Sequence, residues 1–203
     1  MRWGMVIDLK ACIGCRSCVI ACKVENGTPP DIFWGDLLMK EEGQYPMPGR
    51  TYLPKLCMHC KDPVCLTACP TGATIQREDG IVYVDESKCI GCRYCMMVCP
   101  YEARHYWSEK DSKYYFSQGP TPYELQMEKK WNHQTGVVQK CNLCMHRLDQ
   151  GLKPACVEAC LTQCRYIGDL DDPESEVSQL IVKRHGFQLK PETGTDPSVY
   201  YLR

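Results

Sequence analysis

The chain has 203 residues, a formal charge of −1 and a mean hydropathy of −0.38. That near-neutral balance excludes the basic footprint of a nucleic-acid binder, and no stretch nears the roughly twenty apolar residues that span a bilayer. Three Phe leave little for a core of side chains alone, but seventeen Cys supply another source of cohesion.

Cysteine at this density means disulfides, zinc or iron–sulfur clusters. The opening Met-Arg-Trp-Gly-Met carries no apolar signal core, which disfavours a secreted disulfide scaffold. Zinc sites usually pair two C-x2-4-C knuckles across a spacer. The first quartet here is different: Cys12, Cys15, Cys18 and Cys22 read C-x2-C-x2-C-x3-C. That is the run of bacterial ferredoxins, in which the fourth cysteine ligates another cluster than the first three. Gly14 stands where the backbone must turn tightly and approach the cluster.

Residues 23–56 are an insertion holding Pro29-Pro30, an apolar Ile32-Phe33-Trp34 and Pro46-Met47-Pro48-Gly49. A loop of this length is expected to face a partner or to cover a cluster. The second quartet follows, Cys57, Cys60, Cys65 and Cys69, with a wider gap before its third member. The span from Cys69 to Cys89 has room for one β-hairpin, with strands Thr74–Arg77 and Ile81–Val84 around the turn Glu78-Asp79-Gly80. Cys89, Cys92, Cys95 and Cys99 then repeat the first spacing, with Gly91 in the place of Gly14. The stretch Cys95-Met96-Met97-Val98-Cys99 fits one helical turn with both thiols on one face. Pro70 and Pro100 follow a fourth cysteine as in the ferredoxin run, whereas Lys23 and Leu161 stand at the equivalent places elsewhere.

A second insertion, residues 100–140, is rich in Tyr, Lys and Glu and leads into Cys141, Cys144, Cys156 and Cys160. Beyond it a helix is expected, with Asp172 as cap and Pro173 in the first turn. Val177, Leu180 and Ile181 share one face, and Lys183-Arg184-His185 precede Gly186. The tail, 187–203, either packs on the body or lies along a partner.

The quartets repeat in alternation. Val6–Arg16 recurs 77 residues later as Tyr83–Arg93, and Pro63–Thr71 matches Pro154–Thr162. The expected fold is therefore α+β, two pseudo-symmetric bacterial 2×(4Fe–4S) ferredoxin-like modules. One spans 57–99. The other joins 1–22 to 141–170, bringing the chain ends together, while 171–203 form a C-terminal helix and partner-facing tail. Exchange of the fourth cysteine within each module gives four sites. They are Cys57/Cys60/Cys65 with Cys99; Cys89/Cys92/Cys95 with Cys69; Cys141/Cys144/Cys156 with Cys22; and Cys12/Cys15/Cys18 with Cys160. All sixteen are expected to ligate iron in four 4Fe–4S clusters, each with a charge of about −2 when oxidised, taking the total to about −9.

Arg16, Lys23, Lys61, Arg93, Lys140, Arg147 and Arg165 lie in or near the motifs, as moderators of cluster charge or as solvated surface cations. Cys164 aligns with Ala73 and is expected to be a small buried residue at the start of a strand. No quartet lacks a cysteine, so His59 and His146 are read as packing or as hydrogen-bonding to sulfur. No phosphate loop, paired carboxylates or Ser–His–Asp order marks a substrate site, and no catalytic residue is assigned.

Beyond the quartets, Cys144-Met145-His146-Arg147-Leu148-Asp149 and Ile167-Gly168-Asp169-Leu170-Asp171-Asp172-Pro173 complete a pattern. The chain resembles the four-cluster iron–sulfur subunits of dimethyl sulfoxide reductase-type molybdoenzymes, most of all those of respiratory arsenate, polysulfide and thiosulfate reductases. The resemblance implies a non-catalytic electron-transfer subunit. Its partners would be a large subunit carrying a molybdenum or tungsten bis-pterin cofactor and a quinone-linked membrane subunit or another carrier. It also implies either export with a signal-bearing partner or a cytoplasmic location. A stand-alone polyferredoxin and a zinc-stabilised interaction protein are the alternatives.

Overall fold

The structure is a computed structural model describing residues 1–108 and 119–203. The part of the Tyr-, Lys- and Glu-rich insertion at 109–118 lies outside the described residues. In chain order the elements are β1 (Trp3–Asp8), α1 (Ser17–Asn26), β2 (Asp36–Glu42), β3 (Gly49–Lys55), α2 (Val64–Thr67), β4 (Thr74–Gln76), β5 (Val82–Val84) and α3 (Tyr94–Met97). After these come β6 (His105–Trp107), α4 (Pro122–Trp131), β7 (Val137–Gln139), α5 (Met145–Leu148), α6 (Ala155–Glu158), β8 (Arg165–Asp169), α7 (Glu176–Lys183) and β9 (Val199–Leu202).

Four of the seven helices of the described residues last a single turn: α2, α3 and α6 each carry one cysteine, and α5 begins directly after Cys144. The expected hairpin forms as β4 and β5, pairing antiparallel from Thr74↔Val84 to Gln76↔Val82. The chain ends meet in a three-stranded sheet ordered β8-β1-β9. There β1 runs antiparallel to β8, from Trp3↔Asp169 to Ile7↔Arg165, and parallel to β9, from Met5↔Val199 to Asp8↔Leu202. β1 is completely covered along Met5, Val6 and Ile7, as a central strand must be. α2 packs on α3, and α1 packs on α6. Among the described residues, no helix is long and apolar enough to cross a membrane.

The insertions divide between cover and surface. Ile32 and Trp34 are buried and join the main core with Leu56, Met58, Trp107 and Tyr201. The long β2–β3 ribbon is mostly exposed. The 100–140 segment supplies β6 and β7, and all three residues of β7 are buried. The tail packs on the body: Tyr201 and Leu202 are fully buried, and the Tyr201 hydroxyl donates to the Pro54 carbonyl at 2.8 Å.

The expected cap at Asp172 needs correction. Helix α7 starts at Glu176, and its cap is Ser175, whose Oγ accepts from the Ser178 N–H at 3.2 Å. The Asp172 carboxylate instead accepts from the Glu174 N–H at 2.9 Å, so its capping capacity is used in a turn that precedes the helix.

Candidate iron–sulfur sites

The cysteine motifs curl because particular residues between the thiols adopt a left-handed backbone. Gly14 and Gly91 have φ of 72° and 67°, and Arg16 and Arg93 both have 61°. The third residue of each C-x2-C in the other two quartets behaves alike, His59 at 43° and Leu143 at 56°. There the backbone N–H turns onto the thiol two residues earlier, His59 N to Cys57 Sγ at 3.5 Å and Leu143 N to Cys141 Sγ at 3.4 Å. Val138 N likewise donates to Cys89 Sγ at 3.5 Å from strand β7. Such donors stabilise sulfur that carries negative charge.

The thiols gather in groups that cross the sequence quartets. One small cavity is lined by Cys57, Cys60, Cys65 and Cys99. A second is lined by Cys69, Cys89, Cys92 and Cys95. A third is lined by Cys18, Cys22, Cys141 and Cys156. Asn26 ties Cys144 to that third set, its amide donating to Cys22 Sγ at 3.6 Å and to Cys144 Sγ at 3.7 Å. Cys160 lies within charge–charge reach of Cys15. Cys15 and Cys92 are the two exposed cysteines of the seventeen.

Burial, with repulsion from neighbouring thiols, holds many of these groups protonated in the bare chain. It pushes Cys60 up to about 12, and Cys57, Cys65 and Cys99 are its neighbours in charge. Burial and then the thiols of Cys141, Cys156 and Cys144 push Cys22 well above its ordinary range. Four crowded thiolates out of water need a positive core between them. A polycationic iron–sulfide core satisfies that need, so the donor set fits 4Fe–4S clusters.

The motif cations divide sharply. Arg165 and Lys140 are buried, whereas Arg16, Lys61 and Arg93 are exposed. Arg93 lies over the Tyr106 ring, 3.7 Å from its centre. Lys23 donates to the carbonyls of Pro29 and Thr28 at 2.7 and 3.0 Å, and Arg147 pairs with Glu25 at 3.0 Å. One buried cation was not legible in the motifs. Arg104, five residues past Cys99, lines both the Cys57/Cys60/Cys65/Cys99 and the Cys69/Cys89/Cys92/Cys95 cavities. Only its place beyond the quartet could have marked it.

The two motif histidines engage protein groups through their imidazoles, and His59 meets sulfur only through its backbone N–H. His59 is buried and neutral, since its Nδ1 accepts from the Val82 N–H at 3.1 Å and burial, then Lys140 and Arg104, hold its pKa well down. His146 Nε2 meets Glu25 at 2.8 Å. Cys164 is buried just before β8, with Sγ 3.5 Å from Cys160 Sγ.

A family model described as "4Fe-4S dicluster domain" matches residues 49–115 and again 108–170, and a second of the same description matches 11–73. A selenate reductase subunit of Mesobacillus selenatarsenatis is 43% identical, the match covering 100% of this chain and 72% of that protein. The arsenate respiratory reductase iron–sulfur subunit of Shewanella is 42% identical, covering 100% of this chain and 97% of that protein. The iron–sulfur cluster-binding subunit of a menaquinone reductase from Nitratidesulfovibrio vulgaris is 35% identical, covering 100% and 89%. The fold and the matches define a ferredoxin-type protein of two dicluster units holding four 4Fe–4S clusters. The chain belongs to the iron–sulfur electron-transfer subunits of dimethyl sulfoxide reductase-type molybdoenzymes. It is not a catalytic subunit, and the zinc and disulfide readings fall.

Proposed function

We propose that this subunit relays electrons along a row of four clusters between a molybdenum- or tungsten-pterin catalytic subunit and a quinone-linked membrane subunit or other carrier. The observation that carries the proposal is the grouping of the thiols into sets that cross the sequence quartets. Two such sets each line one cavity, Cys57/Cys60/Cys65 with Cys99 and Cys89/Cys92/Cys95 with Cys69; by the repeat we assign the other two as Cys12/Cys15/Cys18 with Cys160 and Cys141/Cys144/Cys156 with Cys22. When bound, a 4Fe–4S cluster supplies a one-electron carrier whose potential the surrounding protein sets.

Neighbour relations give the order. Cys18 of the first set lines one cavity together with Cys22, Cys141 and Cys156. Cys141 of the second is in charge contact with Cys57 of the third. Arg104 lines the cavities of the third and the fourth. The exposed cysteines, Cys15 and Cys92, belong to the first and the last sets. Beside them stand exposed Ile13 and, at the other end, Ile90 at 68% and Met97 at 81% exposure. Apolar side chains beside a thiol at each end suit docking surfaces, where a partner's cover excludes water from the transfer path.

The element correspondence supports two pseudo-symmetric modules. α2, β4, β5 and α3 occupy the repeat positions of α6, β8, β1 and α1, and both sets form a helix pair over an antiparallel strand pair. The test is anaerobic native purification with metal and acid-labile sulfide analysis. Sixteen iron and sixteen sulfide per chain, co-purifying with a molybdenum- or tungsten-containing chain, are expected. Elution alone at about its own mass, with no such partner, refutes the subunit reading.

A further inference from the structure

Three buried cations stand in the three gaps of the proposed row. Arg165, at the head of β8, is 6% exposed and donates from Nη2 to Cys18 Sγ at 3.3 Å while lining the cavity of Cys22, Cys141 and Cys156. Lys140 is 3% exposed and donates to the carbonyls of Cys141, at 2.6 Å, and Val82, a residue lining the Cys57/Cys60/Cys65/Cys99 cavity. Arg104 is 4% exposed and lines both cavities of the third and fourth sets. Its Nη1 donates to Thr74 Oγ1 at 3.2 Å, and its Nη2 is buried with no nitrogen or oxygen acceptor among the described residues, the guanidinium facing the Cys65 and Cys95 thiols.

A buried cation is costly unless an anion compensates it. Among the described residues, none of these three meets a carboxylate: their neighbours are carbonyls, a hydroxyl, a thioether and cysteine sulfur. The charge they face is that of the thiols. Cys156 and Cys18 favour the charged form of Arg165 against its burial, and Cys65 and Cys95 do so for Arg104.

The repeat makes accident a poor account. The repeat equivalent of Arg165 is Thr74, as Cys164 is that of Ala73. Thr74 carries no charge, yet its hydroxyl accepts from Arg104, which arrives from the insertion that follows Cys99. The two halves of the molecule thus bring a guanidinium to corresponding gaps from non-equivalent sequence positions. Duplication would have copied the residue; a shared physical need explains two separate routes to it.

We propose that Arg165, Lys140 and Arg104 are the potential-setting residues of the relay, one between each pair of adjacent clusters, each raising the electron affinity of both its neighbours. The inference rests on the cluster sets proposed above. An added electron makes a cluster one unit more negative, and a fixed cation beside two clusters stabilises the reduced form of each. Placed in the gaps, the same charge also weakens repulsion between neighbours that are both reduced.

The test is EPR-monitored redox titration of the anaerobically purified complex carrying Arg165→Gln, Lys140→Gln or Arg104→Gln, with signals assigned through single Cys→Ser variants. Each substitution is expected to lower the potential of its two flanking clusters, by a tenfold change in reduced-to-oxidised ratio or more, about 59 mV for one electron. The other two clusters stay unmoved. The affected pairs overlap by one cluster along the row: first and second, second and third, third and fourth. Arg104→Lys retains the charge and is expected to return both potentials to near wild type, which a purely structural role would not require. If Arg104→Gln loses clusters, Arg104→Lys and the other two substitutions carry the test. Full cluster content with no shift, a uniform shift of all four, or Arg104→Lys displaced as far as Arg104→Gln overturns the proposal. Wild-type protein without four 4Fe–4S signals refutes the underlying cluster sets instead.

Discussion

Gly91 offers the most demanding test of how the backbone forms a cluster site. It lies between Cys89 and Cys92 with φ +67°, and a Cβ built there would sit 2.0 Å from the Gly136 carbonyl oxygen and 3.1 Å from Tyr106 Cε2. The first of these distances is one that real Cβ atoms essentially never show. The neighbour cannot yield easily: Gly136 donates to the Trp107 carbonyl at 2.7 Å, just ahead of β7, whose Val138 N–H serves Cys89 Sγ. Gly91→Ala therefore adds overpacking against backbone, about 1–3 kcal/mol, to a left-handed penalty of about 1–2 kcal/mol. The sum, roughly 2–5 kcal/mol, corresponds to a fall in Tm of roughly 4–20 °C for a chain of this size. Gly72 is the control, because its φ is +65° but nothing lies within 4 Å of an added Cβ. Gly72→Ala should cost only the conformational term, about 1–2 kcal/mol or roughly 2–8 °C. Anaerobic melts followed by the visible absorbance of the clusters, with iron content beforehand, read both. Equal shifts for the two variants would show that close approach at the motif is not what requires glycine there.

Cys22→Ser is expected to perturb the cluster signal assigned to Cys141, Cys144 and Cys156, because burial and those three thiols dominate the surroundings of Cys22; loss confined to the signal of Cys12, Cys15 and Cys18 would sink the exchanged pairing. His133 faces two acceptors, Glu86 Oε1 from Nδ1 at 2.8 Å and the Asn26 carbonyl from Nε2 at 2.9 Å, which calls for a proton on both nitrogens. Burial opposes that charge, but Glu86 and Asn26 outweigh it and raise the folded pKa above 6.5. The contribution is thus complete below the unfolded value of about 6.5 and fades as pH rises through the folded one. Melts between about pH 6 and 9 should lose stability in wild type and run flatter in His133→Gln, and parallel slopes would refute the assignment. Tyr201→Phe leaves the Pro54 carbonyl without its buried donor, at a cost of about 1–3 kcal/mol, or roughly 2–12 °C in Tm; an unchanged Tm would mean that water replaces the hydroxyl.

The cysteine spacing made the cofactor legible because ligand number and spacing are written along the chain. The hairpin at 74–84 was legible for the same reason, being local and punctuated by Gly80. Two kinds of feature were not. The left-handed residues of the motifs include Arg16, Arg93 and Leu143, which propensity would not place at positive φ, since a tertiary constraint chooses the backbone there. The fate of each cation was hidden too. Lys61 and Lys140 look alike beside a motif, yet Lys61 is exposed and Lys140 is buried. Arg104 lay outside every motif, because what fixes it is its place between two cavities. The cap of α7 went to Ser175 because Asp172 and Ser175 are both good caps and a turn consumed the first.

The alternation of the quartets has a consequence for how the fold closes. The pair β4–β5 is a local hairpin, from Thr74↔Val84 to Gln76↔Val82, whereas β1–β8 joins Trp3 to Asp169, across almost the whole chain. Closing the longer loop costs only modestly more, since loop entropy grows with the logarithm of length. The greater difficulty is that the sheet it forms is small and the thiols it gathers repel one another. Cys22 shows the conflict: it is buried, and the thiols of Cys141, Cys144 and Cys156 push its pKa further up. In the proposed ligand set, a cluster held by Cys22 from one end of the chain and Cys141 from the other would turn that repulsion into a cross-link and close the sheet. On this argument metal assembly and the meeting of the chain ends are one event. The strand β9, which seals β1 with fully buried Tyr201 and Leu202, then locks a closure that the apolar residues alone are too few to hold.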